Sequence, residues 1–261
     1  MPTFRVDGPF AYLEGFTEKQ LTAIKAVLTY HDKAAEFDYK KFRKNRWFAT
    51  KYGDVAFKDE CDRRKAAIKQ CLVNADGRTY AGLLEEVQQA IKPFGITVNV
   101  IASEDPPEYT PVPWKKQPPK SRPYQSLAVE KLMAVTLGAI EYGTGLGKSI
   151  VIANLVRNAG LKAIVMAPSR SIGNQLYDTL RTLLGESKVG FYGDGKKVYQ
   201  KLVTVGIAAS LTKLEPGDPA YEELAKAQVF ITDESHFLAA TTFEKVALGV
   251  ARNAKCRWSV S

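Results

Sequence analysis

The chain has 261 residues, 45% hydrophobic and 25% charged, with a formal net charge of +9; this length allows two domains with buried cores, and this composition excludes a disordered chain. No apolar run approaches the ~20 residues that cross a bilayer, and the N-terminus "MPTFRVDGPF" lacks the charged-then-apolar layout of a signal peptide, so the chain is read as cytosolic with no membrane partner. Cys61, Cys71 and Cys256 form no CxxC pair and His31 and His236 are the only histidines, which leaves almost no material for a disulfide framework or a structural zinc site.

In chain order, the patterns predict a short strand pair near Phe4 to Leu13, a helix from Thr17 to Tyr30, and strand or hairpin material between Glu36 and Phe57. Helices of about Glu60 to Val73 and Thr79 to Lys92 follow, then the alternating strand "ITVNVIA" from Ile96. Residues 1–102 therefore read as a small α+β domain without a catalytic set. Within it, "DYKKFRKNRWFATK", residues 38–51, carries six Lys/Arg against one Asp, interleaved with Tyr39, Phe42, Trp47 and Phe48. Lys40, Lys41, Arg43, Lys44 and Arg46 could face phosphates while the aromatics stack on bases or sugars. A solvated strand pair with its apolar face in the core would have the same composition, and Trp47, next to Phe48, fits core as well as a stacking platform.

Seven of the thirteen prolines fall between Ser103 and Pro123, which bars helix and central strand and marks residues 103–121 as an extended linker or a strap over a surface. From residue 122 onward, helices such as Ser149 to Ala159 and Ser171 to Leu184 alternate with short apolar, β-branched runs. Those runs are "LGAIEY", "KAIVMAP", "SKVGFYG", "LVTVGIAAS", "AQVFITDES" and "CRWSVS", the pattern of buried parallel strands. The fold class expected is α/β, a doubly wound parallel sheet preceded by the small α+β domain, with ligands at the C-terminal strand ends.

"AIEYGTGLGKS" is one of those strands running into a glycine loop and then an apolar-periodic helix. Glycines let backbone N–H groups converge on phosphate oxygens, the helix N-terminus adds a positive dipole, Lys148 can reach the β and γ phosphates of a nucleotide, and Ser149 can ligate Mg²⁺. Tyr142 stands where the strict GxxxxGK[ST] pattern has its first glycine; Gly143, Thr144, Gly145, Leu146, Gly147, Lys148 and Ser149 make up the candidate cradle. A plain strand-to-helix turn with an exposed lysine is the alternative. The second half of the chemistry lies 85 residues on from Lys148, in "VFITDESH", where a β-run ends in adjacent carboxylates. There Asp233 can hold a hydrated Mg²⁺ and Glu234 can polarise the attacking water.

With these motifs the chain from Arg122 onward resembles the superfamily 2 DExH-box helicases and translocases. The resemblance implies a RecA-like first motor domain, ATP and Mg²⁺ as cofactors, and a nucleic-acid partner. "SRPYQSLAVEKL" resembles the segment before motif I, implying that Gln125 reads the adenine edge with Arg122 or Tyr124 flanking the base; "YGTGLGKS" is similar to motif I. "APSRSIGNQL" resembles motif Ia, with Ser169, Arg170 and Gln175 as implied backbone contacts, and "GIAASL" resembles the next strand-end motif, adding Ser210. For Gln175 and Ser210, ordinary helix and loop packing stays open as the alternative. "DESH" is the DExH box, where His236 would couple nucleotide state to a second motor domain.

"CRWSVS" resembles the strand leading into motif III, so the chain is expected to be the N-terminal part of an enzyme whose second RecA-like domain lies outside it. Residues 1–102 resemble, in order and spacing, the accessory domain of phage UvsW-type recombination helicases and related bacterial proteins. That implies a DNA helicase or branch-migration translocase for duplex or branched DNA, in a bacterial or phage-infected cytoplasm, serving recombination, repair or fork remodelling. An RNA-directed DExH helicase, a restriction-system motor subunit and a non-motor nucleotide-sensing module share the same motifs and remain as alternatives.

Overall fold

In the computed structural model, which describes residues 1–101, 106–143, 145–234 and 240–261, the chain divides into two units, residues 1–103 and 104–261. The first unit opens with a hairpin, β1 (Thr3–Asp7) and β2 (Phe10–Glu14), followed by α1 (Glu18–Val27). Thr17 starts α1 with a capping box: its hydroxyl accepts from Gln20 N–H, and the Gln20 carboxamide oxygen accepts from Thr17 N–H at 2.8 Å. Strand β3 (Thr29–His31) leads into α2 (Lys33–Phe42), α3 (Arg46–Tyr52) and α4 (Asp54–Ala66), and β4 (Lys69–Cys71) returns beside β3. The unit closes with β5 (Arg78–Tyr80), α5 (Leu84–Ile91) and β6 (Asn99–Ile101). Its four-stranded sheet runs β5-β2-β1-β6. Phe4, Ala11 and Leu13 from the sheet pack with Ile24 and Leu28 from the α1 region and Val87, Ala90 and Ile91 from α5.

The segment 36–57, expected as strand or hairpin, is helical. Asp32 caps α2, accepting from Ala34 and Ala35 N–H at 2.9 and 3.0 Å, and Asn45 caps α3, accepting from Phe48 N–H at 3.2 Å. The aromatic enrichment that suggests strands serves helix packing instead: Phe42 lies 5.0 Å from Phe48 and 5.4 Å from Phe57, centroid to centroid. The expected helices at 60–73 and 79–92 are each trimmed by a strand, β4 at the end of the first and β5 at the start of the second.

The second unit contains α6 (Pro123–Met133), β7 (Leu137–Ile140), α7 (Lys148–Ala159), β8 (Ala163–Ala167), α8 (Arg170–Leu184) and the hairpin β9 (Val189–Gly193) and β10 (Lys196–Val198). It continues with β11 (Val203–Ile207), α9 (Ala208–Leu211), α10 (Pro219–Leu224), β12 (Val229–Asp233), α11 (Ala240–Leu248) and β13 (Cys256–Val260). The strand order is β10-β9-β11-β8-β12-β13-β7, and every pair is parallel except β9 with β10. Side chains alternate between faces with period two. Ala163 and Val165 of β8 join a core with α6, α7 and α8, whereas Ile164 and Met166 join one with α9, α10 and α11. The sheet is therefore covered on both sides, as the fold class expected.

Residues 106–118 lie along this second unit. Tyr109, Val112 and Trp114 pack on its larger core. Thr110 and Val112 N–H donate to the Ala159 and Arg157 carbonyls at the end of α7, and Lys115 N–H to the Leu183 carbonyl at the end of α8, at 2.8 to 3.2 Å. Those carbonyls have no intrahelical donor, so the proline-rich chain satisfies two helix C-termini.

Candidate functional site

Register gathers the functional loops on one edge of the sheet. Ile207 lies beside Ala167, Thr232 beside Met166, Asp233 beside Val260 and Val260 beside Ile140. The chain leaves each parallel strand at the same level, so the glycine loop after β7, Ser169 after β8, Ser210 after β11 and the carboxylates at the end of β12 share one rim.

Lys148 opens α7 and forms an ion pair with Glu234, with both side chains largely shielded from solvent. Ser149 follows, half-buried, in the first helical turn. Glu234 has φ +51, uncommon for a residue with a side chain and costly by roughly 1–3 kcal/mol, while its N–H donates to the Val260 carbonyl at 3.0 Å. Asp233 is buried, and among the described residues its Oδ1 has no hydrogen-bond partner. Burial first, and the Glu234 carboxylate second, push the Asp233 carboxyl up to about 6, against the pull of Lys148. A buried carboxylate oxygen left without a donor fits a cation, and Ser149 and Asp233 would hold Mg²⁺.

The loop itself is bound to the start of α6. Gln125 is buried, and its carboxamide N–H donates to the Leu146 carbonyl at 2.8 Å while its oxygen accepts from Arg122 N–H at 2.9 Å. The Tyr124 hydroxyl donates to the same Leu146 carbonyl at 3.1 Å and accepts from the Arg122 guanidinium at 2.9 Å. Gly147 sits at φ +81, and a Cβ there would stand 2.5 Å from Gln125 Nε2, so a side chain at 147 would be strained and would push on the Gln125 carboxamide. Gly145 shares the left-handed backbone. Gly143 and Leu146 flank it, whereas Thr144 and His236 lie outside the described residues. Tyr142, the departure from the strict glycine pattern, donates its hydroxyl to the Tyr124 carbonyl at 2.7 Å and meets the Tyr124 ring edge-on at 5.5 Å. Its side chain fastens the loop to α6, a role that the sequence signals only as a missing glycine.

The candidate nucleic-acid residues divide between the units. Ser169 caps α8, accepting from Ile172 N–H. Arg170 is exposed but paired with Asp194 at 2.9 Å. Asp194 and Gly195, with φ of +50 and +80, form the two-residue turn between β9 and β10; the "DG" of "YGDGKK" is the available signal for this hairpin. Gln175 is exposed on α8, and Ser210 is half-buried in the short α9. In the first unit Lys40, Lys41, Arg43, Lys44 and Arg46 are all exposed on or between α2 and α3. Lys40 is paired with Glu36 at 2.6 Å, and Arg43 lies 5.8 Å from the Tyr39 ring centroid.

The family model described as "Type III restriction enzyme, res subunit" matches residues 119–257. The "DNA 3'-5' helicase XPB" of Mycobacterium tuberculosis (strain ATCC 25618 / H37Rv) is 26% identical over 167 residues, which are 62% of this chain and 30% of that relative's length. The UvsW helicase of bacteriophage T4 superposes with a TM-score of 0.70 at 14% identity in two solved structures. They cover 99% of this chain and, respectively, 92% and 52% of the solved chains; at that identity the likeness is one of fold. Among the described residues, no helix is long and apolar enough to cross a membrane.

Proposed function

We propose, from the premise that the chain belongs to the family described as Type III restriction enzyme, res subunit, that it supplies the nucleotide-binding motor domain and an accessory domain of an ATP-dependent DNA helicase or translocase. Duplex or branched DNA is its track, in the cytoplasm of a bacterial or phage-infected cell, during recombination, repair or fork remodelling. One observation carries this reading: Lys148 at the start of α7 pairs with Glu234 at the end of β12, joining the two halves of a phosphoryl-transfer site. Bound Mg²⁺ and ATP would supply the electrophilic γ-phosphate. Lys148 and the loop amides would hold phosphate, Ser149 and Asp233 would hold the cation, and Gln125 with Tyr124 and Arg122 would lie on the base side. With Lys148 turned to phosphate, the Glu234 carboxylate would orient the attacking water and take its proton.

Lys148→Ala is expected to weaken binding of a fluorescent ATP analogue about 10- to 100-fold, the worth of charge-assisted bonds. In the full-length protein, because this chain alone is expected to hydrolyse ATP weakly or not at all without a second motor domain, Glu234→Gln is expected to leave that binding largely intact while lowering DNA-stimulated hydrolysis by about 10² to 10⁴. Normal turnover by the Glu234→Gln protein would overturn the assignment, and stimulation by RNA in place of DNA would move it to an RNA helicase. The family description favours one second reading, a restriction-system motor, which a coupled DNA-cleavage activity would reveal.

A further inference from the structure

Sequence patterning leaves Trp47 divided between core and surface, and the structure puts it outside. The helical arm α2–α4 already has an aromatic core in Phe42, Phe48 and Phe57, whereas Trp47 is 62% and Tyr52 52% exposed. Their rings meet edge-on at 6.3 Å, and Lys51 Nζ stands 4.7 Å from the Trp47 centroid and 5.1 Å from that of Tyr52. On α2, Phe37 is 71% exposed and shares a helix face with Lys41, one turn on, while Lys44 is exposed in the turn between α2 and α3. Among the described residues Lys41, Lys44 and Arg46 enter no ion pair, although the neighbouring Arg63 and Arg64 are held by Glu60 and Asp38. Large aromatics held in water beside uncommitted cations are costly for a monomer and suited to one ligand chemistry: flat π-faces on a polyanion.

We propose that Trp47, with Tyr52 and Lys51, is a stacking platform for unpaired bases, while Lys41, Lys44 and Arg46 follow the adjoining phosphates. This rests on the nucleic-acid-motor reading and deepens it, because it makes the accessory unit a reader of single-stranded arms at a branch rather than of duplex alone. A purely apolar protein partner would leave the cations without a role; a base-bearing strand uses both.

The test compares binding of the full chain, without nucleotide, to a forked duplex with two unpaired arms and to a blunt duplex of the same sequence. Trp47→Ala is expected to lose about 5- to 150-fold in affinity for the fork, the range of one stacked base, with blunt-duplex affinity unchanged and Trp47→Phe recovering most of the loss. A 2-aminopurine in one arm should be quenched on binding by the wild-type protein and not by Trp47→Ala. Equal losses on both substrates, or no loss on either, would overturn the platform. If Lys41→Ala with Lys44→Ala weakens both substrates while Trp47→Ala does nothing, the nucleic-acid reading survives and the stacking inference fails. Should the wild-type chain bind neither substrate, both fall. Circular dichroism of each variant separates a missing binding group from a missing fold.

Discussion

Arg257 sets a guanidinium inside β13, where its neighbours in sequence Cys256 and Trp258 are buried apolar residues. Burial pulls it down to about 10, so it stays cationic at neutral pH. It is held there by three carbonyls, those of Ala247, Ala251 and Arg252, at 2.9 to 3.2 Å. These lie at and just beyond the C-terminal end of α11, where helix carbonyls lack donors and the dipole favours a cation. Arg257→Leu is expected to lower stability by about 3 kcal/mol, since three acceptors lose a charged donor at once. Arg257→Lys should recover only part, because an ammonium cannot present the planar fork. Urea denaturation of the three proteins checks this, and a leucine variant as stable as wild type would mean that water satisfies the carbonyls. Sequence patterning predicts the strand "CRWSVS" but offers no sign of Arg257's role, because its acceptors come from the end of α11, which does not announce itself in the alternation of β13.

Elements here are joined by backbone as much as by side chains, and the proline-rich strap shows it. Gly160 ends α7 at φ +61, and a Cβ there would stand 1.8 Å from the Thr110 carbonyl oxygen. Gly160→Ala is expected to destabilise by about 2–4 kcal/mol, combining left-handed strain with disruption of the strap's bonds to α7, and to expose residues 106–118 to protease. At Gly217, with φ +97, a Cβ would meet nothing within 4 Å. Gly217→Ala should therefore cost only about 1 kcal/mol and leave the strap protected. Equal protease sensitivity in the two variants would show that strain, and not the close approach, decides. The parallel strands of the second unit are legible in the sequence because burial on both faces writes continuous apolar runs, and the loop and carboxylates are legible because phosphate chemistry restricts residue types. The segment 36–57 misleads because aromatic residues count toward strand by composition, whereas Asp32 and Asn45 cap helices by geometry. The ties of Gln125, Tyr124 and Tyr142 to the loop depend on tertiary placement and leave no pattern along the chain.

At the scale of the whole molecule, the charge of +9 matters less than where it is concentrated. Residues 1–103 carry 17 Lys/Arg against 13 Asp/Glu, and the run 38–51 alone has six against one, so the rest of that unit is close to neutral. The excess of this unit, +4 of the +9, therefore sits on the helical arm, and the other +5 belongs to the second unit. Its members are not equal: Lys40 first, and His31 second, hold the Glu36 carboxyl down to about 2, so the Lys40 ammonium is already engaged, while Lys41, Lys44 and Arg46 are open. If the arm follows a DNA backbone, replacing Lys40, Lys41, Arg43, Lys44 and Arg46 by Ala should weaken binding to DNA of any sequence. It should also flatten the dependence of log K on log salt by roughly 0.9 for each duplex phosphate no longer neutralised. Restoring Lys40 alone should return little of that slope, and restoring Lys41 and Lys44 should return most of it. Nucleotide binding should not change, since none of the five belongs to the Lys148–Glu234 site. The measurement is a salt titration of duplex and forked DNA binding with proteins of verified fold. Identical slopes for wild type and the fivefold variant would clear the arm of any role in phosphate binding and direct the search to Lys196 and Lys197 on the exposed edge of β10, with Lys201 beyond it.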